Sequence, residues 1–140
     1  MTSLPPYRAE VEFDVHATGL ADFEAEVDRA IQSHGYEEAV AFAVRLAIEE
    51  AVANGINHGN RRTPGKVVKV QCRIDDREIF VAVEDEGEGF DPSSVPDPTD
   101  EANLSIPSGR GLMLMGAYMS EVRYIPPGNR VEMTYRRPVS

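Results

Sequence analysis

The sequence contains a single cysteine, no tryptophan and no long hydrophobic run. One cysteine excludes a disulfide framework and a cysteine-based metal cluster. Cys72 stands in the alternating stretch VVKVQCRI, which predicts a small side chain within a strand. No apolar run approaches the ~20 residues that span a bilayer, and the N-terminus lacks the basic start and apolar middle of a signal peptide. We therefore expect a cytoplasmic protein that does not associate with membranes.

Basic residues are also scarce, since 14 Lys and Arg stand against 24 Asp and Glu and the formal net charge is −10. Such a charge argues against direct binding of nucleic acid, whose contacts are chiefly to phosphate. The 140 residues contain no repeat and no linker, which predicts one domain over residues 1–140.

Hydrophobic periodicity predicts an α+β fold. Alternation predicts strands over residues 10–16, 66–74, 78–84, 121–125 and 130–136, and helical spacing predicts helices over 20–33, 37–58 and 109–119. Because short turns join neighbouring strands, we expect a two-layer α/β sandwich, with a mixed, mostly antiparallel sheet and helices on one face. Residues 85–108 are rich in Gly, Pro, Asp and Ser, and a connection this long is usually functional, such as a lid over about residues 90–108, or disordered.

The second predicted helix carries an unexpected polar face. Residues 42–56 are mostly apolar, yet Glu50, Asn54, Asn57 and His58 fall within roughly a quadrant of the helix surface. A buried polar group without a partner costs about 1–3 kcal/mol, so this face needs protein or a ligand against it. A carboxylate here could act as a general base, and an asparagine oxygen could bind Mg²⁺. Alternatively, Glu50 and Asn54 hydrogen-bond to each other or to a loop.

A second segment, Asp85-Glu86-Gly87-Glu88-Gly89-Phe90, follows a predicted strand. Its glycines permit close approach of the backbone to a ligand, and Asp85 can accept a hydrogen bond from an amine such as adenine N6. The alternative is an acidic tight turn, because Asp and Gly are among the commonest turn residues.

A third segment, Ser108-Gly109-Arg110-Gly111-Leu112, opens the last predicted helix. Free N–H groups at a helix N-terminus can bind an anion or a phosphate, and Arg110 could add a charge-assisted contact. The alternative is capping by Ser108 with glycine flexibility. The spacing matches neither the P-loop nor the dinucleotide-binding fingerprint.

Taken in order, these segments resemble the GHKL nucleotide-binding family, which includes gyrase, the large heat-shock chaperone and histidine kinases. The family pattern is E-x-x-x-N on a helix, D-x-G-x-G after a strand, a long loop and G-x-G opening a helix. The resemblance is closest to the anti-sigma-factor serine kinases, through EEAVANGINHGN, DEGEGFDP and SGRGLMLM, and it covers about residues 9–136. It implies the Bergerat ATP-binding fold of that family.

The resemblance also implies a role for each matching position. Asn54 would hold Mg²⁺ bridging the ATP phosphates, Glu50 would be the general base, and Asp85 would bind the adenine amino group. Gly87 and Gly89 would shape the pocket wall. The other residues expected at the nucleotide are Asn57, His58, Phe90, Ser108, Gly109, Arg110, Gly111, Leu112 and Thr134. Of these, Gly109 to Leu112 would close over the phosphates at the end of the lid. A packing or capping role for His58 stays open, and Thr134 would reach the adenine end.

Two functions from different classes follow from the resemblance. The first is an ATP- and Mg²⁺-dependent serine/threonine kinase that phosphorylates an anti-sigma-factor antagonist and sequesters a sigma factor when that antagonist is absent. The second is a non-catalytic module in which bound ATP sets the conformation that holds a partner. A histidine-kinase catalytic domain is disfavoured, because the sequence leaves no room for a dimerisation helix. The family often works as dimers, which leaves a homodimer open.

Overall fold

The computed structural model describes residues 4–87, 119–126 and 129–138. Its strands and helices are β1 (Tyr7–Phe13), α1 (Leu20–Ser33), α2 (Glu38–Asn54), β2 (Val68–Ile74), β3 (Glu78–Glu84), β4 (Glu121–Ile125) and β5 (Arg130–Arg136). A π-helical turn over Gly55–Gly59, called the π turn below, continues α2. The lid and all of the third predicted helix except Met119 lie outside the described residues.

The described strands form one sheet in the order β1-β2-β3-β5-β4. All four pairings among the described strands are antiparallel, where the sequence predicts a mixed, mostly antiparallel sheet. Strand β5 lies between β3 and β4, so that Glu84 at the end of β3 pairs with Arg130 at the start of β5. The predicted two-layer α+β architecture is confirmed.

Helices α1 and α2 cover one face of this sheet. Their apolar side chains meet those of the strands in a single core, whose largest fully buried members are Val27, Ile31, Val44, Ile48, Val52, Val68, Val70, Ile74, Ile79, Val81 and Met133. Helix α2 contributes small and β-branched side chains to this core, and these let it approach the sheet closely.

The other face of the sheet is polar. Cross-strand partners share a face, and Arg73, Phe80 and Thr134 are consecutive partners across β2, β3 and β5. Arg73 pairs here with Glu78, at 2.6 Å between Nη2 and Oε1. Met133 is fully buried on the helix side of β5, so its neighbour Thr134 lies on the polar face.

Strand β1 lies earlier in the chain than the alternation predicts. The predicted strand covers residues 10–16, whereas Tyr7–Phe13 pairs with β2. Asp14 ends the strand, because its carboxylate accepts the main-chain N–H groups of His16 (3.0 Å) and Thr18 (3.1 Å). The bounds of an edge strand depend on its partner, which local alternation does not reveal.

Cys72 is a core side chain, one of the two positions, core or surface, that the alternating stretch leaves open. It lies on the buried side of β2 and is 3% exposed. Burial raises the pKa of its thiol to about 12, so the thiol stays protonated at neutral pH and is a poor nucleophile.

Burial rather than side-chain size should decide which residues of α2 stabilise the fold. Ile48 is fully buried, whereas Phe42 on the same helix is 55% exposed. We expect Ile48→Ala to lower the free energy of unfolding by about 2–5 kcal/mol and Phe42→Ala by less than about 1 kcal/mol. Urea denaturation of both variants measures this, and an equal cost for the two would contradict the packing described here.

The Asp75 carboxylate stabilises the hairpin between β2 and β3. Its Oδ1 accepts the main-chain N–H groups of Arg77 (2.8 Å) and Glu78 (2.9 Å), and its Oδ2 accepts from Arg73 Nη1 (2.8 Å). Partial burial opposes ionisation, but these hydrogen bonds and the charge of Arg73 outweigh it and hold the pKa of Asp75 below its ordinary value. A carboxyl group with a lowered folded-state pKa stabilises the fold above its unfolded pKa. That contribution is lost as the pH falls through the folded-state pKa.

We therefore expect Asp75→Ala to lower the free energy of unfolding by about 1–2 kcal/mol at pH 7. The difference from the parent should shrink as the pH is lowered below about 4, where the unfolded-state carboxyl begins to bind a proton. Urea denaturation across this range measures the effect, with Glu10→Ala on the exposed edge of β1 as the control. A difference that grows on acidification would show that the hairpin carboxylate does not act in this way.

Candidate functional site

The polar face of α2 begins with Glu50 and Asn54, which lie one turn apart near the end of the helix. Both are partly exposed, while their neighbours Ala51 and Val52 are buried. A carboxylate and an amide oxygen are thus presented together at the carboxyl end of α2. This arrangement agrees with the pairing that the sequence predicts.

After Asn54 the helix widens into the π turn, although the sequence predicts a regular α-helix to His58. The N–H of Asn60 donates to the carbonyl oxygen of Gly55 at 2.7 Å, which is an i→i+5 hydrogen bond. Turns of this kind are rare and are frequent at functional sites. The wider turn changes which of the later side chains share a face with Glu50.

Within the π turn, Asn57 and His58 line different cavities. Asn57 lines a cavity of ≈ 430 Å³ together with Glu49 and Ala53, and its Oδ1 accepts from Arg62 Nη1 at 2.8 Å. His58 instead lines a second cavity of ≈ 180 Å³, with Gly59, Asn60, Arg61, Thr63, Lys66, Glu86 and Gly87. The structure therefore brings His58, but not Asn57, to the turn that follows β3.

Two glycines bring that turn into contact with the π turn. A Cβ added to Gly59 would overlap the Asp85 carboxylate, and one added to Gly87 would overlap the carbonyl group of Gly59. Gly55 is also confined, because its Cβ would lie 2.9 Å from Val68 Cγ2. Asp85 therefore lies directly against the end of the α2 region, which is the close approach that glycine permits.

The Asp85 carboxyl group is half-buried. Burial raises its pKa above the ordinary value; a hydrogen bond from the N–H of Gly87 and the charge of Lys66 oppose this shift, and the charge of Glu84 adds to it. A raised pKa means that burying the ionised carboxylate destabilises the fold at neutral pH. Such costs are typical of functional positions.

Asp85 Oδ1 accepts the N–H of Gly87 at 2.7 Å. Oδ2 accepts no hydrogen bond from any residue in the described ranges. Within these ranges, Oδ2 is thus the atom of the carboxylate that could accept from a ligand donor such as an amino group.

Three residues of this site were not identified from the sequence. Asn60 is 3% exposed, and its side chain contacts the turn after β3. Asn129 bonds to Asp85 through both its main chain and its side chain. Glu86 accepts a hydrogen bond from the N–H of Val67. Asn60 and Asn129 belong to stretches that predict only turns, and no local pattern indicates these long-range contacts.

The remaining predicted residues have two different outcomes. Thr134 lies on the polar face of the sheet, opposite the helices, and its strand partner in β3 is Phe80 rather than a residue near Asp85. The structure therefore does not bring Thr134 to the other candidates. Gly89, Phe90, Ser108, Gly109, Arg110, Gly111 and Leu112 lie outside the described residues.

The residues present suit a magnesium ion that binds mainly to water and phosphate. Within residues 4–87, 119–126 and 129–138, no group of three or more His, Cys, Asp and Glu side chains could hold a metal ion. The described residues therefore do not form a metal site built from protein ligands alone. Mg²⁺ keeps several waters and takes few protein ligands, so the Asn54 amide oxygen beside the Glu50 carboxylate is a fitting donor.

No helix among the described residues is long and apolar enough to cross a membrane.

A family model described as "Histidine kinase-like ATPase domain" matches residues 14–135, which include every segment of this site. Several curated relatives carry the name "Anti-sigma F factor". The relative from Clostridium acetobutylicum is 31% identical over 107 residues, covering 74% of this chain and 68% of the relative. Together, these matches show that the chain belongs to the histidine-kinase-like (GHKL) ATPase family, in its anti-sigma-factor branch.

Two further relatives of the same name match over shorter regions. The protein from Clostridium novyi is 36% identical over 83 residues, which cover 57% of each chain. The protein from Oceanobacillus iheyensis is 32% identical over 97 residues, covering 65% of this chain and 66% of the relative. In these two comparisons the chain spans less than two thirds of the relative's length.

The contact between Gly59 and Asp85 can be tested by a double-mutant cycle. Helix propensity alone would make Gly59→Ala stabilising by up to about 1 kcal/mol. We expect it instead to cost about 1–3 kcal/mol, because the new methyl group overlaps the carboxylate. In an Asp85→Ala background the overlap is gone and the cost should largely disappear. Urea denaturation of the four proteins measures the coupling, and additive effects would show that the two residues are not in contact.

Proposed function

We propose that this protein is an ATP-dependent serine/threonine kinase that phosphorylates an anti-sigma-factor antagonist. When the antagonist is absent, it sequesters a sigma factor, and it thereby regulates transcription by partner switching. The observation that carries the proposal is the contact of the turn after β3, which contains Asp85 and Gly87, with Gly55 and Gly59, the glycines that follow Asn54. This contact brings the Asp85 carboxylate to the end of the helix that carries Glu50 and Asn54.

Asp85 would recognise the adenine base of ATP. Its Oδ2 is the acceptor for the exocyclic amino group, while Oδ1 is held by the N–H of Gly87. His58 and Gly87 line the adjoining cavity and would contact the nucleotide. For Asn57 and Thr134, which lie away from this cavity, the structure offers no support of this kind.

Glu50 would act as the general base in phosphoryl transfer. It would accept the proton of a serine or threonine hydroxyl as that oxygen bonds to the γ-phosphorus and the bond to the ADP leaving oxygen breaks. Asn54 would hold Mg²⁺, which when bound neutralises charge on the phosphates. Gly89, Phe90 and residues 108–112 would enclose the phosphates, with residues 90–108 as the lid; these assignments come from the resemblance.

The partners belong to the same proposal. An antagonist protein would supply the hydroxyl, and a sigma factor would be the alternative partner, as the name of the relatives suggests. Such a role would place the protein in the cytoplasm and would require no direct contact with nucleic acid. A homodimer is an expectation from the family resemblance.

One observation favours a non-catalytic ATP-binding module as the second candidate. The carboxylate of Glu50 makes no hydrogen bond or ion pair with another residue in the described part of the chain. A catalytic base is usually oriented by a neighbouring group. In this second function, nucleotide binding alone would set the affinity for a partner protein.

Substitution of Glu50 separates the two candidates. If Glu50 is the base, Glu50→Gln should slow transfer of labelled phosphate from ATP to the antagonist by about 10²–10⁴-fold. The Kd for ADP, measured by calorimetry, should stay within about a factor of two, because only the transition state needs the base. The antagonist candidates are the small proteins encoded by neighbouring genes. Equal transfer by parent and variant would remove Glu50 from the mechanism, and ADP binding without transfer to any candidate would support the binding module.

Substitution of Asp85 tests nucleotide recognition without requiring catalysis. In Asp85→Asn the amide oxygen can still accept from Gly87, but a donor replaces the acceptor Oδ2. We expect ADP affinity to fall at least about tenfold. The free energy of unfolding at pH 7 should stay equal or rise, because a destabilising buried charge is removed. Unchanged ADP affinity would contradict the assigned role of Asp85.

A further inference from the structure

The turn Asp85-Glu86-Gly87, called the Asp85 turn below, has an acceptor for every main-chain N–H group. Asn129 O accepts from Asp85 (2.9 Å), Asn60 Oδ1 accepts from Glu86 (2.7 Å) and Asp85 Oδ1 accepts from Gly87 (2.7 Å). Asn129 Nδ2 also donates to the carbonyl oxygen of Asp85 at 2.9 Å. The backbone of the turn is thus held from both sides by residues distant in sequence.

Asn60 joins this turn to two other elements. Its side chain is almost fully buried, with Nδ2 donating to Val67 O at 3.0 Å and Oδ1 accepting from Glu86 N. Its own carbonyl oxygen accepts from the N–H (3.0 Å) and Oγ1 (2.6 Å) of Thr63. Both polar atoms of the Asn60 side chain are therefore held by main-chain partners, and Oδ1 is the atom that contacts the Asp85 turn.

The backbone beside Asn60 is strained. Arg61 and Arg62 both have positive φ angles, 51° and 54°, in the left-handed region that non-glycine residues rarely adopt. Strain of this kind costs of order 1–3 kcal/mol for each residue and persists where the surroundings hold it in place. The strained residues directly follow Asn60, whose side chain contacts the Asp85 turn.

Glu86 closes the arrangement. Its Oε2 accepts the N–H of Val67 at 2.6 Å, and the carbonyl oxygen of Val67 accepts from Asn60 Nδ2. Asn60, Val67 and Glu86 thus form a ring of hydrogen bonds that joins the π turn, the start of β2 and the Asp85 turn. Since Glu86 itself is exposed, this ring can be altered from the surface.

We propose that Asn60, Glu86 and Asn129 are positioning residues that set the preference of this site for adenine over guanine nucleotides. The inference rests on the proposed role of Asp85. Adenine presents an amino donor where guanine presents a carbonyl oxygen, so a single acceptor separates the two bases. That separation requires a fixed direction, because hydrogen bonds weaken steeply when they bend. The three residues supply this direction without themselves contacting the base.

Glu86 offers the sharpest test, because a conservative variant keeps its hydrogen bond. Glu86→Gln retains a side-chain oxygen that can accept from Val67, whereas Glu86→Ala removes the acceptor. We expect Glu86→Ala to weaken ADP binding about tenfold and to leave GDP binding within about a factor of two. Glu86→Gln should restore the parent's ratio of ADP to GDP affinity. Calorimetry with ADP, and displacement of ADP by GDP, measure both affinities.

Asn129→Ala and Asn60→Ala extend the test to the other two contacts. Each should lower the ratio of ADP to GDP affinity in the same direction as Glu86→Ala. Gln32→Ala is the matched control, since it removes an exposed side-chain amide bonded to Asp28 on α1, away from the site. Thermal unfolding of each variant shows whether it is folded at the temperature of measurement. If Asn60→Ala does not fold, Glu86→Ala and Asn129→Ala still decide the matter.

The outcomes separate this inference from the proposed function. If the parent protein binds ADP and all variants keep its ratio of ADP to GDP affinity, the positioning role is wrong and the proposed function stands. Parallel losses of ADP and GDP binding would show a purely structural role and would also overturn the inference. If the parent binds no adenine nucleotide, both the inference and the proposed function fail.

Discussion

The site depends on one contact, in which the Asp85 carboxylate lies against Gly59 with no side chain between them. Gly87 meets the backbone of Gly59 in the same way, and a methyl group at either glycine would push the two segments apart. This contact joins the turn after β3 to the π turn that continues α2. The sandwich therefore places the acidic turn and the polar helix face side by side through its own packing.

That contact is maintained at an energetic cost. Burial raises the pKa of Asp85, so an ionised carboxylate there destabilises the fold at neutral pH. Asn60 and Asn129 do not remove this cost, but they satisfy the main-chain N–H groups of Asp85 and Glu86 that would otherwise lie unpaired in the same region. The result is a preorganised acceptor, which a binding site needs and a merely stable turn does not.

Local patterns predict the elements well but not the contacts between them. The bounds of α1, β3, β4 and β5 agree with the sequence because strong periodicity is bounded there by turn residues. No local pattern indicates the π turn, so regular helical spacing groups Asn57 with His58 although they line different cavities. Asn60 and Asn129 bond to partners 26 and 44 residues away in the sequence, and contacts at such separations depend on the tertiary fold. The pairing of β5 with β3 likewise decides that Thr134 faces away.

In the proposed function, nucleotide binding and phosphoryl transfer would depend on different parts of this structure. Recognition would rest on Asp85, whose turn is held by Asn60 and Asn129 and is therefore part of the fold. Phosphoryl transfer would in addition require Glu50 to meet a partner's hydroxyl, and within the described residues no hydrogen bond or ion pair orients that carboxylate. The partner and the nucleotide would therefore have to complete the catalytic geometry. If these roles hold, such a domain could lose catalysis and keep nucleotide-dependent regulation, because the residues that would bind are not those that would react.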